Sequence, residues 1–253
     1  MAYKTDGSSH TSGVQNEENL INKLQSEAKT LYPELSDSFE VVKRGGTKFK
    51  QDLEIVDGDN AILISAKKKV KIKSGSFDWV NSSSATASVD ALKSFSETVK
   101  SISTSGASIS SARTMVNNAG LKALQELTSD QLTTMLQEHV SDKNEDMRVI
   151  ISETSTGNNW EYNFVDSPLY NSIQNHSPKV KMGRGKTSAK IVFDDDNGNT
   201  LDHGIRIRVV TNNGIKALMG KSTSNTNSVG VVKIQQDNIP GLISGLGDKI
   251  RKF

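Results

Sequence analysis

Side chains suited to phosphate chemistry lie close together in the stretch from Gly45 to Lys73. It contains Asp52 and, further along, Ser65 and Lys67 separated by a single residue. Carboxylate and other oxygen groups are the ligands that Mg²⁺ prefers in proteins. A lysine beside such a metal can orient a water molecule and stabilise charge on a phosphate. These residue types at this spacing point to metal-assisted chemistry on a phosphate group.

A β-hairpin is expected to hold these side chains together. Phe49 to Val56 and Ala61 to Ile72 both alternate apolar with polar residues. The four residues between them, Asp57 to Asn60, contain the Gly and Asp that are typical of a tight hairpin turn. Asp57 and Asp59 are therefore interpreted as turn residues rather than as metal ligands.

The register set by that turn predicts one apolar and one polar face. With the turn at Gly58, Val56 lies opposite Ala61 and Glu54 lies opposite Leu63. Opposed residues share a face of the sheet, and the polar face then carries Lys50, Asp52, Glu54, Ser65 and Lys67. A slip by one residue would bury these charges. An ordinary edge hairpin, protected from aggregation by its lysines, would show the same pattern.

Composition limits the classes of protein that the chain can represent. It has 253 residues, a net charge of +2 and no Cys, which excludes disulfides and thiolate metal sites. Between Lys43 and Lys73 nine Lys or Arg stand against four acids, a surplus that suits a polyanion but also a solvated basic face. No apolar run could span a membrane, and the N-terminus lacks an apolar signal core, so we expect a cytoplasmic protein.

A helix is expected before the hairpin. Residues 1–13 are polar and are expected to be a disordered tail, and the helix is expected from Asn16 to about Leu31. Its apolar stripe, extended backwards, reaches Glu17, whereas Glu18 lies about 100° around the helix. The stripe consists of Ile21, Leu24, Ala28 and Leu31. The helix dipole also favours an acid in the first turn, so Glu17 has a structural explanation as well.

Beyond the hairpin the pattern predicts a helical insertion at about 88–142 and then a return to strands. The stretch from Asn175 to Ser188 is expected to be a basic, Gly-containing loop. Strands are expected at Arg148–Ser152, Trp160–Val165, Lys190–Phe193, Gly204–Thr211 and Val229–Ile234. The expected fold class is α/β, with a mixed central β-sheet flanked by helices in a single domain from 14 to 253.

A helical Glu, an Asp on one strand and Ser-x-Lys on the next resemble the PD-(D/E)xK nuclease superfamily, and especially its restriction endonuclease-like branch. The matching residues are Glu17 (or Glu18), Asp52, Ser65 and Lys67. The run from Lys50 to Asp52 resembles the preface that many members carry before this Asp. This chain departs from the family pattern at Ser65, because most members have a second acid at that position. Glu54, on the same face of the hairpin as Asp52, could supply the missing charge. The resemblance implies a restriction endonuclease-like core with an inserted helical segment.

The resemblance also implies an activity and a set of roles. The expected protein is a Mg²⁺-dependent DNA endonuclease, with Mn²⁺ able to substitute, that hydrolyses phosphodiester bonds to leave 5′-phosphates. Asp52 would be the main metal ligand, and Ala66 would coordinate the metal through its backbone carbonyl. Ser65 would coordinate the metal or bind a water molecule. Lys67 would position the attacking water, and Glu17 would complete the site. Such an enzyme would act in a bacterial host cell or a phage-infected cell.

Basic residues near the hairpin and in the C-terminal half are candidates for DNA contact. Gly183 to Lys186 forms a Gly-rich basic loop that lacks the spacing of a P-loop, which favours contact with phosphate or guanine instead. The candidates are Lys48, Lys50, Lys68, Lys181, Arg184, Lys186, Arg206 and Arg208. Cleavage of both strands with one site per chain usually requires two chains, so a homodimer is a possible assembly. The alternative is a non-enzymatic nucleic-acid-binding or virion-associated protein that uses the same basic surface.

Overall fold

The computed structural model of the protein describes residues 8–44, 51–69, 77–82, 89–102, 104–183, 188–210, 215–216, 219 and 231–253. The chain divides into two compact units, one made of residues 1–77, 143–170 and 239–253 and the other of residues 78–142 and 171–238. The fold is mixed α/β and contains a mixed sheet with flanking helices, as the sequence predicted. In the described segments no helix has the length and apolar character needed to cross a bilayer.

The helices and strands follow one another in this order. The N-terminal elements are α1 (Ser8–Leu31), β1 (Glu40–Lys43), β2 (Leu53–Asp57), β3 (Asn60–Lys69) and β4 (Phe77–Ser82). The central ones are α2 (Asp90–Ile102), α3 (Ile109–Glu126), α4 (Ser129–Leu136), a π-helical segment (Gln137–Ser141) and α5 (Asp142–Asn144). Next come β5 (Arg148–Glu153), β6 (Asn159–Asn163), a 3₁₀ turn (Phe164–Asp166), α6 (Pro168–Asn175), β7 (Ser177–Met182), β8 (Ser188–Asp194) and β9 (Thr200–Val210). The last are β10 (Val231–Gln236), α7 (Ile239–Leu246), a 3₁₀ turn (Gly247–Lys249) and β11 (Ile250–Lys252).

The first unit is built on a six-stranded sheet in the order β1-β2-β3-β5-β6-β11. The pairing of β3 with β5 is parallel and the other pairings are antiparallel, which makes the sheet mixed. β3 therefore lies inside the sheet, with a neighbour on each side. Parallel neighbours need a long connection, and the chain between β3 and β5 includes residues 78–142 of the second unit.

The β2–β3 hairpin has the predicted register. Val56 pairs with Ala61 and Glu54 with Leu63, and the turn is closed by Asp57 opposite Asn60. Gly58 has a φ of +60°, which a two-residue hairpin turn requires at this position and which Gly adopts without strain. The Asp57 carboxylate accepts hydrogen bonds from Ser36, and these lower its pKa. Asp57 therefore closes the turn and binds Ser36.

Helix α1 covers the apolar face of this hairpin. Leu53, Ile55 and Ile64 are fully buried in one cluster with residues of the helix. Those helix residues are Leu20, Leu24, Ala28 and Leu31. The helix begins at Ser8, earlier than the predicted start at Asn16, so part of the expected disordered tail is helical. Residues 1–7 lie outside the described part of the chain.

A buried acid links the residue that follows α1 to strands β6 and β11. Glu161 on β6 is 1% exposed and accepts a hydrogen bond from the Tyr32 hydroxyl at 3.0 Å. The Arg251 Nε of β11 donates to its other oxygen at 2.8 Å, and Arg148 Nε lies 3.5 Å away. Burial, together with the Glu161 charge, raises the pKa of the Tyr32 hydroxyl. Removing one partner of such a buried charge destabilises the fold, because the charge is then left uncompensated.

We expect Glu161→Gln to lower the free energy of unfolding by about 2 kcal/mol, because hydrogen bonds to a charged group are worth roughly 1.5–3 kcal/mol. Denaturant titration of the variant and the parent would measure the difference. Glu145→Gln, an exposed acid in the same unit, is the matched control and should be neutral. Equal stability of the two variants would show that the Glu161 charge contributes nothing to the fold.

The second unit contains a five-stranded sheet in the order β4-β10-β9-β8-β7. The pairings of β7 with β8, β8 with β9 and β9 with β10 are antiparallel. One face is apolar and buried, with Ala189, Ile191, Ile205, Ile207 and Ile234 on it. α3 and α4 pack against the strands β7–β9.

Two strands of this sheet correct the sequence prediction. β7 occupies Ser177–Met182, inside the stretch that was expected to be a basic loop. β4 occupies Phe77–Ser82, inside the Ser-rich stretch before the expected helical insertion. Only part of each stretch alternates in polarity, so the Gly and Ser content outweighed the strand signal. The helices α2 to α4 do lie within the expected insertion of about 88–142. α4 is capped by Thr128, whose side chain accepts from Gln131 N in a capping box.

Candidate active site

Asp52 and Lys67 lie together at the start of β2 and the middle of β3. The paired register of β2 with β3 ends at Leu53 opposite Ile64, and the preceding Asp52 N–H donates to the Ile64 carbonyl at 2.9 Å. Its Oδ2 accepts the Ala66 backbone N–H at 2.7 Å and lies 3.8 Å from Lys67 Nζ. Both contacts of this carboxylate are made by Oδ2, which leaves Oδ1 without a partner among the described residues. The Asp52 carboxylate and the Lys67 ammonium therefore lie in one cluster.

Ser65 and Lys67 occupy the same face of β3, opposite to the face that α1 covers. Ser65 is 2% exposed and pairs with Val149 of β5, whereas the Lys67 side chain is 17% exposed and pairs with Ile151. The Asp52 side chain is 30% exposed, so the cluster opens to solvent through its charged groups. A rigid strand with neighbours on both sides holds Ser65 and Lys67.

Glu54, which could have replaced the missing acid, is engaged elsewhere. Its Oε2 pairs with Arg44 Nε at 2.5 Å, and its Oε1 accepts from Gln51 Nε2 at 3.3 Å. Both oxygens therefore have partners away from Asp52. Asp52 is the carboxylate that the hairpin contributes to the cluster.

Lys143 is a further cation near this cluster. It belongs to α5, shortly before β5 begins beside Ile64. Burial lowers the pKa of the Lys143 ammonium, the charge of Lys67 lowers it further, and Asp52 opposes both effects. Lys67 and Lys143 thus both interact electrostatically with the single carboxylate of Asp52. A bound anion would stabilise this arrangement, because it would balance the second positive charge. No local sequence signal marks Lys143, because its proximity arises from the crossover between β3 and β5.

We expect the amine of Lys143 to titrate below the ordinary range of lysine, because burial and Lys67 both disfavour its charged form. Only the neutral amine reacts with acylating reagents. The pH at half-maximal labelling, followed by mass spectrometry of peptides, should therefore be lower for Lys143 than for a lysine in a short unstructured peptide labelled in the same reaction. Identical labelling midpoints for Lys143 and the peptide would contradict the described environment of Lys143.

The structure places Glu17 on the other side of the sheet from Ser65 and Lys67. The Glu17 carboxylate lies 2.9 Å from Lys43 Nζ, and Lys43 pairs with Leu53 on the face that α1 covers. The buried stripe of α1 passes through Leu20 and Asn16, so Glu17 lies on the flank of the helix and is partly exposed. These contacts therefore place Glu17 away from Asp52, in contrast to the predicted orientation. Glu18 is exposed.

For the Mg²⁺-dependent cleavage that the resemblance implies, we accordingly expect Glu17→Gln to leave the Mg²⁺ concentration for half-maximal rate unchanged. Loss of its exposed ion pair with Lys43 should cost at most about 1 kcal/mol of stability. Titration of the cleavage rate against Mg²⁺ tests this, with Glu18→Gln as the matched control. A raised Mg²⁺ requirement in Glu17→Gln alone would restore Glu17 as a member of the site.

A polar cleft of about 250 Å³ lies on the α1 side of the same sheet. Asn16, Asn19 and Lys23 line it from the helix, and Ser152 and Asn159 line it from the strands. Asp52, Ser65 and Lys67 are not among its lining residues. The cleft is therefore separate from the predicted cluster.

The predicted DNA-contacting residues fall into three groups. Lys68 pairs with Ser152 on β5 and so lies on the α1 face, opposite to Lys67. Lys181, Arg206 and Arg208 belong to the sheet of the second unit. The remaining candidates lie outside the described residues and are Lys48, Lys50, Arg184 and Lys186.

The donors available for a metal ion are few. Within the described segments no three His, Cys, Asp or Glu side chains form a metal-binding group. Mg²⁺ is commonly held by only one or two carboxylates, together with waters and substrate phosphates. Asp52 Oδ1, which has no partner among the described residues, and the hydroxyl of Ser65, two residues before Lys67, are oxygen donors of the required kind, so these residues fit a magnesium ion that waters and the substrate help to hold.

A serine–histidine pair in the second unit offers a different chemistry. Ser172 Oγ and His203 Nε2 are 2.8 Å apart, and burial is the main cause that lowers the pKa of His203. Ser172 is 1% exposed, so the pair is a buried contact between α6 and β9.

No protein-family model, no curated protein and no solved structure matches this chain.

Proposed function

We propose that the protein is a Mg²⁺-dependent endonuclease of double-stranded DNA, similar to restriction endonucleases, that leaves 5′-phosphates. The observation that carries the proposal is the contact geometry of Asp52. Its carboxylate lies 2.7 Å from the Ala66 backbone N–H and 3.8 Å from Lys67 Nζ. Asp and Ser-x-Lys on neighbouring strands are the residues on which the resemblance to the PD-(D/E)xK superfamily rests.

The architecture of the first unit supports the same proposal. A helix leads into a mixed sheet, β2 begins just after Asp52, and β3 carries Ser65 and Lys67 between two neighbours. A restriction endonuclease-like core is the form of this fold that we propose. Cleavage of both DNA strands by one site per chain would call for a homodimer. Restriction-like cleavage would take place in the cytoplasm of a bacterial or phage-infected cell.

In this proposal each residue of the cluster has a distinct role. Asp52 Oδ1 and the Ser65 hydroxyl would hold Mg²⁺, or Mn²⁺ in its place, and Ala66 would orient Asp52 through its N–H. The metal, when bound, polarises the phosphoryl oxygen and favours formation of a nucleophilic hydroxide. Lys67 donates hydrogen bonds to the attacking water and to the charge that develops on the phosphate. Lys143 adds positive charge that attracts the phosphate to the cluster.

Incubation of the protein with supercoiled plasmid and Mg²⁺ tests this function. Linear or nicked products are expected with Mg²⁺ or Mn²⁺, and none with EDTA. Discrete fragments from a large DNA would indicate sequence specificity, and a smear would indicate nonspecific cleavage. Ligation of the products without prior phosphorylation would show that they carry 5′-phosphates. Absence of cleavage with either metal would reject the nuclease.

The second candidate is a nucleic-acid-binding or virion-associated protein without enzymatic activity. It is favoured by the charge of the cluster, in which Lys67 and Lys143 accompany one carboxylate and Ser65 replaces an acid. Such a cluster suits a phosphate ligand without any metal. Binding of DNA in EDTA, without cleavage in Mg²⁺ or Mn²⁺, would support this candidate over the nuclease.

A further inference from the structure

Cations stand directly opposite one another across three neighbouring strands of the second unit. Lys181 of β7 pairs with Lys190 of β8, and Lys190 pairs with Arg206 of β9. We call these three residues the cation row. Two residues along β9, Arg208 pairs with Lys233 of β10. The flanking residues of β8 and β9 are buried on the other face, so the cation row belongs to the polar face of the sheet.

Part of this charge is neutralised within the protein. Lys190 Nζ lies 2.6 Å from Asp202, and Arg206 forms an ion pair with Asp237. Lys181 and Arg208 have no acidic partner among the described residues. The acids thus hold Lys190 and Arg206 in place, and positive charge without an acidic partner in the described segments remains at Lys181 and Arg208.

Such an arrangement disfavours the sheet unless something else balances it. Like charges directly opposite each other in neighbouring strands destabilise a sheet. Neighbouring strands are about 4.8 Å apart, so the three cations span about 10 Å. Duplex DNA presents one negative charge per about 1.7 Å of its axis, so several phosphates fall within that span. A line of cations on a rigid sheet is complementary to such a series of charges.

We propose that the cation row, with Arg208 beside it, binds the phosphate backbone of duplex DNA without reading its sequence. Phosphate contacts position a protein on DNA but carry no direct sequence information. Lys190, absent from the sequence-based candidates, is the centre of this surface. The inference rests on the proposed function only for the choice of DNA as the polyanion. It does not require cleavage, so it holds equally for the nuclease and for the non-enzymatic alternative.

The test measures binding of fluorescent duplexes of two unrelated sequences to the full chain in EDTA, across a range of salt concentrations. Each phosphate contact contributes a slope of about −0.9 to the log–log plot of affinity against salt. In the double variant Lys181→Thr/Arg208→Thr the slope should become shallower by about 1.8, equally for both sequences. These two residues are chosen because, within the segments that the structure describes, their removal leaves no acid unpaired. Thr suits a strand.

The matched control removes the same charge elsewhere in the same unit. Lys93→Thr/Lys122→Thr replaces two exposed lysines of α2 and α3 and should leave the slope unchanged. Equal changes in the two double variants would overturn the proposal, because net charge alone would then explain binding. An unchanged slope in Lys181→Thr/Arg208→Thr, or failure of the unaltered protein to bind duplex DNA, would also overturn it.

A second measurement needs no variant and covers the case of a double variant that does not fold. Acylation of the unaltered protein, followed by mass spectrometry, should show protection of Lys181 and Lys190 by duplex DNA and no protection of Lys122. Lack of protection at both lysines would contradict the proposal. Because EDTA prevents metal-dependent cleavage, these results are independent of the Asp52 cluster. An inactive Asp52 cluster with a functional cation row would reject the nuclease and retain the binding surface.

Discussion

Asp52→Asn is expected to abolish cleavage, lowering its rate by about 10³-fold or more, while the protein still binds DNA. The substitution preserves shape, and the amide oxygen can still accept the Ala66 N–H. It removes the negative charge that would hold Mg²⁺ in this cluster. A metal ion supplies several kcal/mol of transition-state stabilisation, and each 1.36 kcal/mol corresponds to tenfold in rate. Binding in EDTA should be unchanged or tighter, because the cluster becomes more positive.

Asp59→Asn is the matched control for this variant. Asp59 is an exposed residue of the same hairpin turn, and its replacement removes the same charge without touching the cluster. Single-turnover cleavage of a plasmid at saturating Mg²⁺ gives the rate of each variant, and thermal unfolding verifies that each is folded. Full activity in a folded Asp52→Asn protein would show that the cleaving site lies elsewhere in the chain.

The hairpin could be predicted from the sequence because several local signals agree there. The polarity of β2 and β3 alternates with period two, and Gly58 marks the turn, so the register followed directly. The register in turn determines which side chains share a face. The predicted pairs of Val56 with Ala61 and of Glu54 with Leu63 are therefore observed, and the Asp52 carboxylate lies 3.8 Å from Lys67 Nζ.

The position of Glu17 could not be predicted equally well, because its helix has a wide apolar face. Leu20 and Ile21 are adjacent in sequence, and a stripe drawn through either one has helical spacing. The stripe through Ile21 reaches Glu17, whereas the observed core uses Leu20 and reaches Asn16. A rotation of one residue, about 100°, separates the two interpretations. Only packing against the sheet decides between them.

Contacts between residues distant in sequence were beyond a pattern-based prediction. Lys143 reaches the field of Asp52 and Lys67 through the pairing of β3 with β5, and that parallel pairing has no local signature. The cation row likewise depends on which strands are neighbours. Lys181 and Arg206 were both candidates for DNA contact, but Lys190 between them became a candidate only when β8 was placed between β7 and β9.

Three consecutive lysines end β3, and because neighbours on a strand point to opposite faces, Lys67 and Lys68 lie on different faces of the sheet. Lys67 shares its face with Ser65 and pairs with Ile151, and its Nζ lies 3.8 Å from Asp52. Lys68 pairs with Ser152 on the face that α1 covers. The two residues have the same charge, length and strand. They therefore form a matched pair in which position relative to Asp52 is the main difference.

We expect Lys67→Ala to lower the cleavage rate by about 10²–10³-fold, as removal of one preorganised transition-state donor does in other enzymes. Lys68→Ala should lower it by less than about tenfold, through weaker DNA binding alone, and that loss should disappear at saturating protein. Lys67→Arg keeps the charge but changes the donor geometry, so it should recover only part of the rate. Single-turnover rates at saturating protein separate binding from chemistry in all three variants. Equal losses in Lys67→Ala and Lys68→Ala would mean that the rate depends on the total charge of β3. The specific contact between Lys67 and Asp52 would then have no catalytic role.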